Sequence, residues 1–349
     1  MRFIGVDLHK TNFVVCFLSE DDKSQAETFT LDQQGLSRFK RRLRSEDKLA
    51  VEACANTSYF CRQVKDRVAE IKVVDTYRFS VIARSKKKTD KKDAAMLARF
   101  LKLGWLPEVP QPSEEIEQLR HLLQARESLV RMATQLKNMG QAALVRSGYA
   151  KGRAAFSSKR ARTRLARLEG LTDVDRQVIG MVLRQIEQVE AEIERVEEEI
   201  VRRGKGLAGV KRLLQIHGLN LLSAIGLLVE IGDIELFDSS KRLVSYAGLA
   251  ASVRQSNETV RRGKITKQGR KRLRTIAIRA VLSMAGRTKT PLMEFYAKKK
   301  REKGSGKAIC ATARKLLVIV YVMLKKGLDY WYIQERLYNE KLRALRAAA

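Results

Sequence analysis

The chain has 349 residues, with 70 Lys and Arg against 39 Asp and Glu and a formal net charge of +31. That length supports two or three domains with cores of their own, and the charge excess asks for a polyanionic partner, nucleic acid above all. Leu316 to Leu324 is the longest late apolar stretch and falls well short of the roughly 20 residues a membrane span needs. Cys16, Cys54, Cys61 and Cys310 form no C-x-x-C pair, which disfavours zinc and disulfide frameworks and suits buried thiols in a reducing cytosol. The opening residues read as a strand, not a signal peptide, so a cytoplasmic location is expected.

In chain order, residues 2–7 and 11–18 read as strands around the Leu8-His9-Lys10 turn, and a third near Glu27–Leu31 completes an antiparallel meander. A helix over Gln34–Leu43 and a strand ending at Glu52 follow. A helix over Thr57–Glu70 and a strand over Ile71–Asp75 come next. The basic connector Arg84-Ser-Lys86-Lys87-Lys88 leads to a helix starting near Asp90. A meander followed by alternating strands and helices is the order of a ribonuclease-H-like α/β domain over 1–108. Pro107, Pro110 and Pro112 open a linker, and 113–204 reads as helical. Within it, residues 146–169 hold eight Lys or Arg, Arg153 and Arg160 among them, interleaved with Tyr149 and Phe156. Ile179, Val182, Ile186, Val189, Ile193, Val196 and Ile200 recur in steps of three and four, a coiled-coil seam. That seam must pair with the Ser113–Leu144 helix, with a twin in another subunit, or with both. The remainder, 205–349, reads as mostly helical. Leu214–Ala224 resembles a helix-hairpin-helix, whose turn around Gly218 and Asn220 would offer backbone N–H groups to phosphate. Residues 261–274 hold eight more Lys or Arg, including Arg261, Arg262, Lys264, Lys267, Arg270, Arg272 and Arg274.

Against this basic background, Asp7, Glu52, Asp90 and Asp93 stand out. Asp7 and Glu52 each end an apolar strand, where an ionised group is costly unless a cation meets it. Carboxylates drawn from separate elements are what hard divalent cations such as Mg²⁺, or Mn²⁺, require. Taken singly, Asp90 could be an N-cap, Asp93 a dipole-favoured first-turn residue and Asp7 a turn residue. Taken together on this strand order, they point to a metal-dependent enzyme acting on nucleic acid.

Gly5-Val-Asp-Leu-His-Lys10, Val51-Glu-Ala53 and Thr89-Asp-Lys-Lys-Asp-Ala94 resemble the DEDD motif of the insertion-sequence transposases of family one-ten. The resemblance continues through the helix-hairpin-helix, Tyr246-Ala-Gly-Leu249, Gly263-Lys-Ile-Thr-Lys-Gln-Gly269 and Ala313-Arg-Lys315. It implies a RuvC-like N-terminal domain in which Asp7, Glu52, Asp90 and Asp93 hold metal. It also implies a C-terminal transposase domain with Ser256 as nucleophile and a phosphoserine intermediate. A guide (bridge) RNA that pairs with donor and target DNA, and a dimer or tetramer, belong to the same implication. Two positions depart from the family pattern, Ala251 where Pro is frequent and Asn257 where Gly is. Ser252 is a neighbouring candidate nucleophile and Tyr246 a remoter one. Two other readings compete: a RuvC-like structure-specific nuclease in which water attacks, and a non-catalytic nucleic-acid-binding protein.

Overall fold

The computed structural model describes the chain except residues 77, 80–88, 150–152, 257–258 and 348–349, and it leaves out the side chains of 153, 166, 254, 256 and 259–262. The chain divides into two units, Met1–Gln111 and Pro112–Ala349.

Unit one is built on a five-stranded sheet. Strands β1 (Arg2–Leu8), β2 (Asn12–Ser19) and β3 (Ser24–Thr30) form the antiparallel meander, while β4 (Lys48–Glu52) and β5 (Glu70–Val74) extend it in parallel. The order β3-β2-β1-β4-β5 makes β1 central. Covered on both faces, β1 needs the near-continuous apolar run that its sequence shows. Ile4, Val6 and Leu8 face one way and join Phe13, Phe29, Phe39 and Phe60 with helices α1 (Gln33–Arg42) and α2 (Thr57–Val64). Phe3, Ala50 and Val74 face the other way and meet helix α3 (Asp90–Leu103) through Ala94, Leu97, Ala98 and Leu101. Gly5 lies on this second face, where a Cβ would stand 2.0 Å from the Ala94 carbonyl oxygen. Helix α3 therefore rests directly on the backbone of β1.

At the opposite edge of β1, Arg2 pairs with the fully buried Asp47 at 2.7 Å, and Asp47 also accepts the Arg44 N–H at 2.8 Å. The helix expected over Thr57–Glu70 stops at Val64, and a 3₁₀ turn over Lys65–Arg67 replaces its end. Phe60 and Val64 are its last buried apolar positions, and the charged Lys65-Asp66-Arg67 has nothing to bury.

Unit two begins with α4 (Glu114–Arg146), capped by the Ser113 hydroxyl, which accepts the Ile116 N–H. A short α5 (Lys159–Ala166) precedes α6 (Asp173–Gly204), capped likewise by Thr172. Arg126 bonds Glu197 and Lys137 bonds Glu190, so α4 and α6 run antiparallel within the chain. Of the seam, Ile179, Val182, Ile186, Val189 and Ile200 are buried, while Ile193 and Val196 are only half-buried.

The rest holds α7 (Val210–Leu214), α8 (Leu221–Ile231), α9 (Ser240–Tyr246), a hairpin of β6 (Ala251–Ser256) and β7 (Thr259–Ile265), and α10 (Lys271–Met284). It ends with α11 (Pro291–Lys303), α12 (Ser305–Lys326) and α13 (Glu335–Ala347). Ala313, Leu316, Leu317 and Val320 of α12 are fully buried in its core. This part is mostly helical, as expected, and the hairpin is an element that the sequence reading did not place. No helix among the described residues is long and apolar enough to cross a membrane.

Candidate metal centre

Asp7 is the penultimate residue of β1 and Glu52 the last of β4. These parallel strands are in register through Val6 and Val51, so the two acids follow at the same end of adjacent strands. Side chains alternate along a strand, and Gly5 and Ala50, two residues earlier, both face α3. Asp7 and Glu52 thus sit on the α3 face. The first turn of α3, started by Thr89, whose hydroxyl accepts the Lys92 N–H, carries Asp90 and Asp93, and Asp90 reaches Asp7 at the end of β1. The close packing that Gly5 permits is what lets this turn overlie the strand ends.

Among the described residues, Asp7, His9 and Asp90 bring one ligand atom each to within 4.8 Å of one another, and Glu52 and Asp93 are not members of that group. The His9 Nε2 lies 3.5 Å from an Asp7 oxygen and 3.1 Å from an Asp90 oxygen. That nitrogen is buried and makes no well-formed hydrogen bond among the described residues. Asp7 is 15% exposed and Asp90 60%, so the group opens outward. Behind it the backbone is pinned. The Asn56 amide donates to the His9 carbonyl at 2.8 Å, and the Thr57 hydroxyl donates to the Glu52 carbonyl at 2.7 Å.

Two carboxylates and an imidazole with an unsatisfied buried nitrogen fit a divalent cation. Oxygen donors suit Mg²⁺, and a nitrogen donor widens the choice towards Mn²⁺. His9 is the residue that sequence reasoning overlooked. Its signal was present: Asp7 and His9 are two apart, the spacing that keeps side chains on one face of an extended chain.

The other candidates fall into three groups. Ser256 ends β6 in register with Thr259, at the tip of the hairpin, and its side chain lies outside the described residues. So do Lys86, Lys87 and Lys88, and the side chains of Arg153, Arg261 and Arg262. Ser252 stands across the hairpin from Gly263, where a Cβ would come within 2.4 Å of its hydroxyl.

A second group serves the unit itself. The Arg270 guanidinium donates to the Tyr246 hydroxyl at 2.8 Å, and Arg274 donates to the Ala247 carbonyl at 2.8 Å. Arg272 bonds the buried Glu230 at 2.6 Å and Glu127 at 3.2 Å. These contacts bind the Tyr246–Leu249 segment and α10 into one body. Lys267 takes a left-handed φ of 57° there, and its N–H donates to the Gly248 carbonyl at 3.1 Å. Asn220 caps α8 in a capping box with Ser223, and Gly218 packs where a Cβ would meet the Ala280 carbonyl at 2.4 Å. The third group, Arg160, Lys264 and Lys267, is exposed.

Two family models match the chain. One, described as Transposase and carrying the DEDD label, covers residues 4–148, and the other, described as Transposase IS116/IS110/IS902 family, covers 210–297. The chain is similar to the pilin gene-inverting protein of Moraxella bovis, 27% identical over 93% of this chain and 96% of that one. It is similar to the transposase for insertion sequence element IS1111A of Coxiella burnetii, 24% identical over 95% of this chain and 91% of that one. A Sinorhizobium fredii protein named as a transposase, y4qE, is 31% identical over 55% of this chain, and the match spans only about half of that longer relative, 46%. With the acidic strand ends inside one matched region and the hairpin inside the other, the chain belongs to the IS110 family of insertion-sequence transposases.

Proposed function

We propose that the chain is a DNA transposase or recombinase that cuts and rejoins strands with a divalent cation and a serine nucleophile. The observation that carries this reading is the convergence of Asp7, His9 and Asp90 at the end of the central strand, on the face that α3 covers. The sheet order, with β1 central between an antiparallel meander and parallel strands, supports the RuvC-like assignment of unit one.

In this proposal Asp7, Glu52, Asp90 and Asp93 hold Mg²⁺, with His9 beside them. Bound there, the cation would stabilise charge on the attacking and leaving oxygens of the phosphodiester. The residues' own work is then definable. The carboxylates would hold the cation against which the scissile phosphate docks, and the Ser256 hydroxyl supplies the nucleophile. Its oxygen forms the new bond to phosphorus as the bond to the leaving strand's oxygen breaks, and the hydroxyl proton passes through solvent to that leaving oxygen. A phosphoserine ester conserves the bond for rejoining, which recombination needs and hydrolysis does not. In this reading the exposed Lys264 and Lys267 meet phosphate, and the internal bonds of Arg270, Arg272 and Arg274 support a structural part for those three.

Donor and target DNA are the proposed substrates, and a guide RNA that pairs with both delegates sequence choice to base pairing. A dimer or tetramer is proposed as the working form. The test is recovery of a protein–DNA adduct after denaturation. Ser256→Ala abolishes the adduct, and Asp7→Asn abolishes both adduct and cutting. Cutting that persists in Ser256→Ala, with no adduct in the unmutated protein, would instead establish attack by water.

A further inference from the structure

Unit two contains a cavity of about 440 Å³ that the proposed chemistry does not use. Its size falls in the roughly 300–1,000 Å³ range of small-molecule sites. Leu219, Leu222, Ile276 and Ala280 give it an apolar wall, set between the turn before α8 and the outer half of α10. Ser223, Thr275 and Ser283 add hydroxyls, and Arg279 sits exposed at its edge.

The charges around the cavity are unevenly committed. Arg126 is held by Glu197 at 2.6 Å, and Arg272 by Glu230 and Glu127. The Lys341 ammonium donates to the carbonyls of Leu214, Ile216 and His217 at 2.9, 2.7 and 3.2 Å. Arg279 has no ion pair among the described residues, which leaves an open cation beside an apolar wall.

His217 supplies the second clue. It lines the cavity, and its Nδ1 is buried with no hydrogen-bond partner. Burial, and then the neighbouring Lys341 charge, push its imidazole below the usual range, so the ring is neutral at pH 7. Its side chain also meets Gln334, while Nδ1 stays without a hydrogen-bond partner among the described residues.

An apolar wall for a flat ring, an unmet ring nitrogen for the polar edge of a base and an open cation for a phosphate describe one ligand class. We propose that this cavity takes a single unstacked nucleotide of bound nucleic acid, its base against Leu219, Leu222 and Ile276 and its phosphate on Arg279. The inference rests on the nucleic-acid reading above and adds to it a protein pocket that reads one splayed base.

The test uses the full chain, ultraviolet cross-linking and peptide mapping. The probes are single-stranded RNA carrying 4-thiouridine and single-stranded DNA carrying 5-iododeoxyuridine. Adducts on the peptides holding His217–Ser223 or Thr275–Ser283 are expected, and the strand that gives them identifies the source. Thr275→Trp fills the cavity and lowers that adduct about tenfold, the scale of one lost stacking contact, with total binding nearly unchanged. Arg279→Ala, at an exposed site that leaves folding intact, lowers it similarly. Total binding retained with adducts only elsewhere, or adducts indifferent to both substitutions, would overturn the pocket and spare the nucleic-acid reading. No binding of either probe would overturn both. Cavity occupancy by free AMP, with no strand adduct, would make it a metabolite site and refute the inference.

Discussion

Gly5→Ala probes the joint between packing and site. The added Cβ would stand 2.0 Å from the Ala94 carbonyl oxygen, 2.5 Å from the Ala98 nitrogen and 2.9 Å from the Leu97 Cβ. Two of these three atoms are backbone, so no side-chain rotation relieves the clash. Ordinary contact begins near 3.4 Å, so α3 must withdraw from β1 by about 1.4 Å. Overpacking of this kind costs about 1–3 kcal/mol. Because α3 carries Asp90 and Asp93 in its first turn, the same shift separates them from Asp7. Metal sites tolerate changes of about 0.2 Å in ligand distance, so a displacement several times larger should be felt. Hydrogen exchange of the α3 amides should accelerate roughly 5- to 150-fold, the span that 1–3 kcal/mol gives. Mn²⁺ affinity should fall in parallel. Unchanged protection and unchanged Mn²⁺ affinity would refute the claim that Gly5 sets the position of the acidic turn.

Three further expectations concern unit two. Ile186→Ala removes a fully buried side chain from the α4–α6 seam and should cost about 2–5 kcal/mol, read as a lower melting temperature. Arg272→Ala strands the buried Glu230 charge and should cost about 3–5 kcal/mol in denaturant stability. A merely exposed phosphate-binding arginine would show no such loss. Burial holds the Lys341 ammonium at about 8, below its ordinary 10.5, so between those values the unfolded chain carries more protons than the folded one. Stability relative to Lys341→Met should therefore be level below pH 8 and rise from pH 8 towards 10.5. A gap that stays flat or shrinks with pH would contradict that burial.

How much of this was legible in the sequence follows from where the signal is local. The strands β1, β4 and β5 announce themselves as apolar runs because they are covered on both faces. The α6 seam is visible because its period is strict, and Thr89 marks the start of α3 through its capping hydroxyl. The β6–β7 hairpin was not visible. Its strands interleave Arg254, Arg261, Arg262 and Lys264 with Val253, Val260 and Ile265, so neither a clean period of two nor an apolar run distinguishes them in the sequence. The duty of Arg272 was hidden for another reason. Glu127 and Glu230 lie far from it in the chain, and only folding makes them partners. His9 lies past the end of β1, in a turn, and only folding brings Asp90 to its ring.

Mn²⁺ binding to the full chain, followed by electron paramagnetic resonance, tests the metal centre most directly. Asp7→Asn and His9→Ala should each weaken binding, Asp7→Asn by about 10- to 100-fold or more, while Asp66→Asn, on the remote 3₁₀ turn, should leave it unchanged. If Asp7→Asn binds Mn²⁺ as tightly as the unmutated protein, these strand ends do not hold the cation.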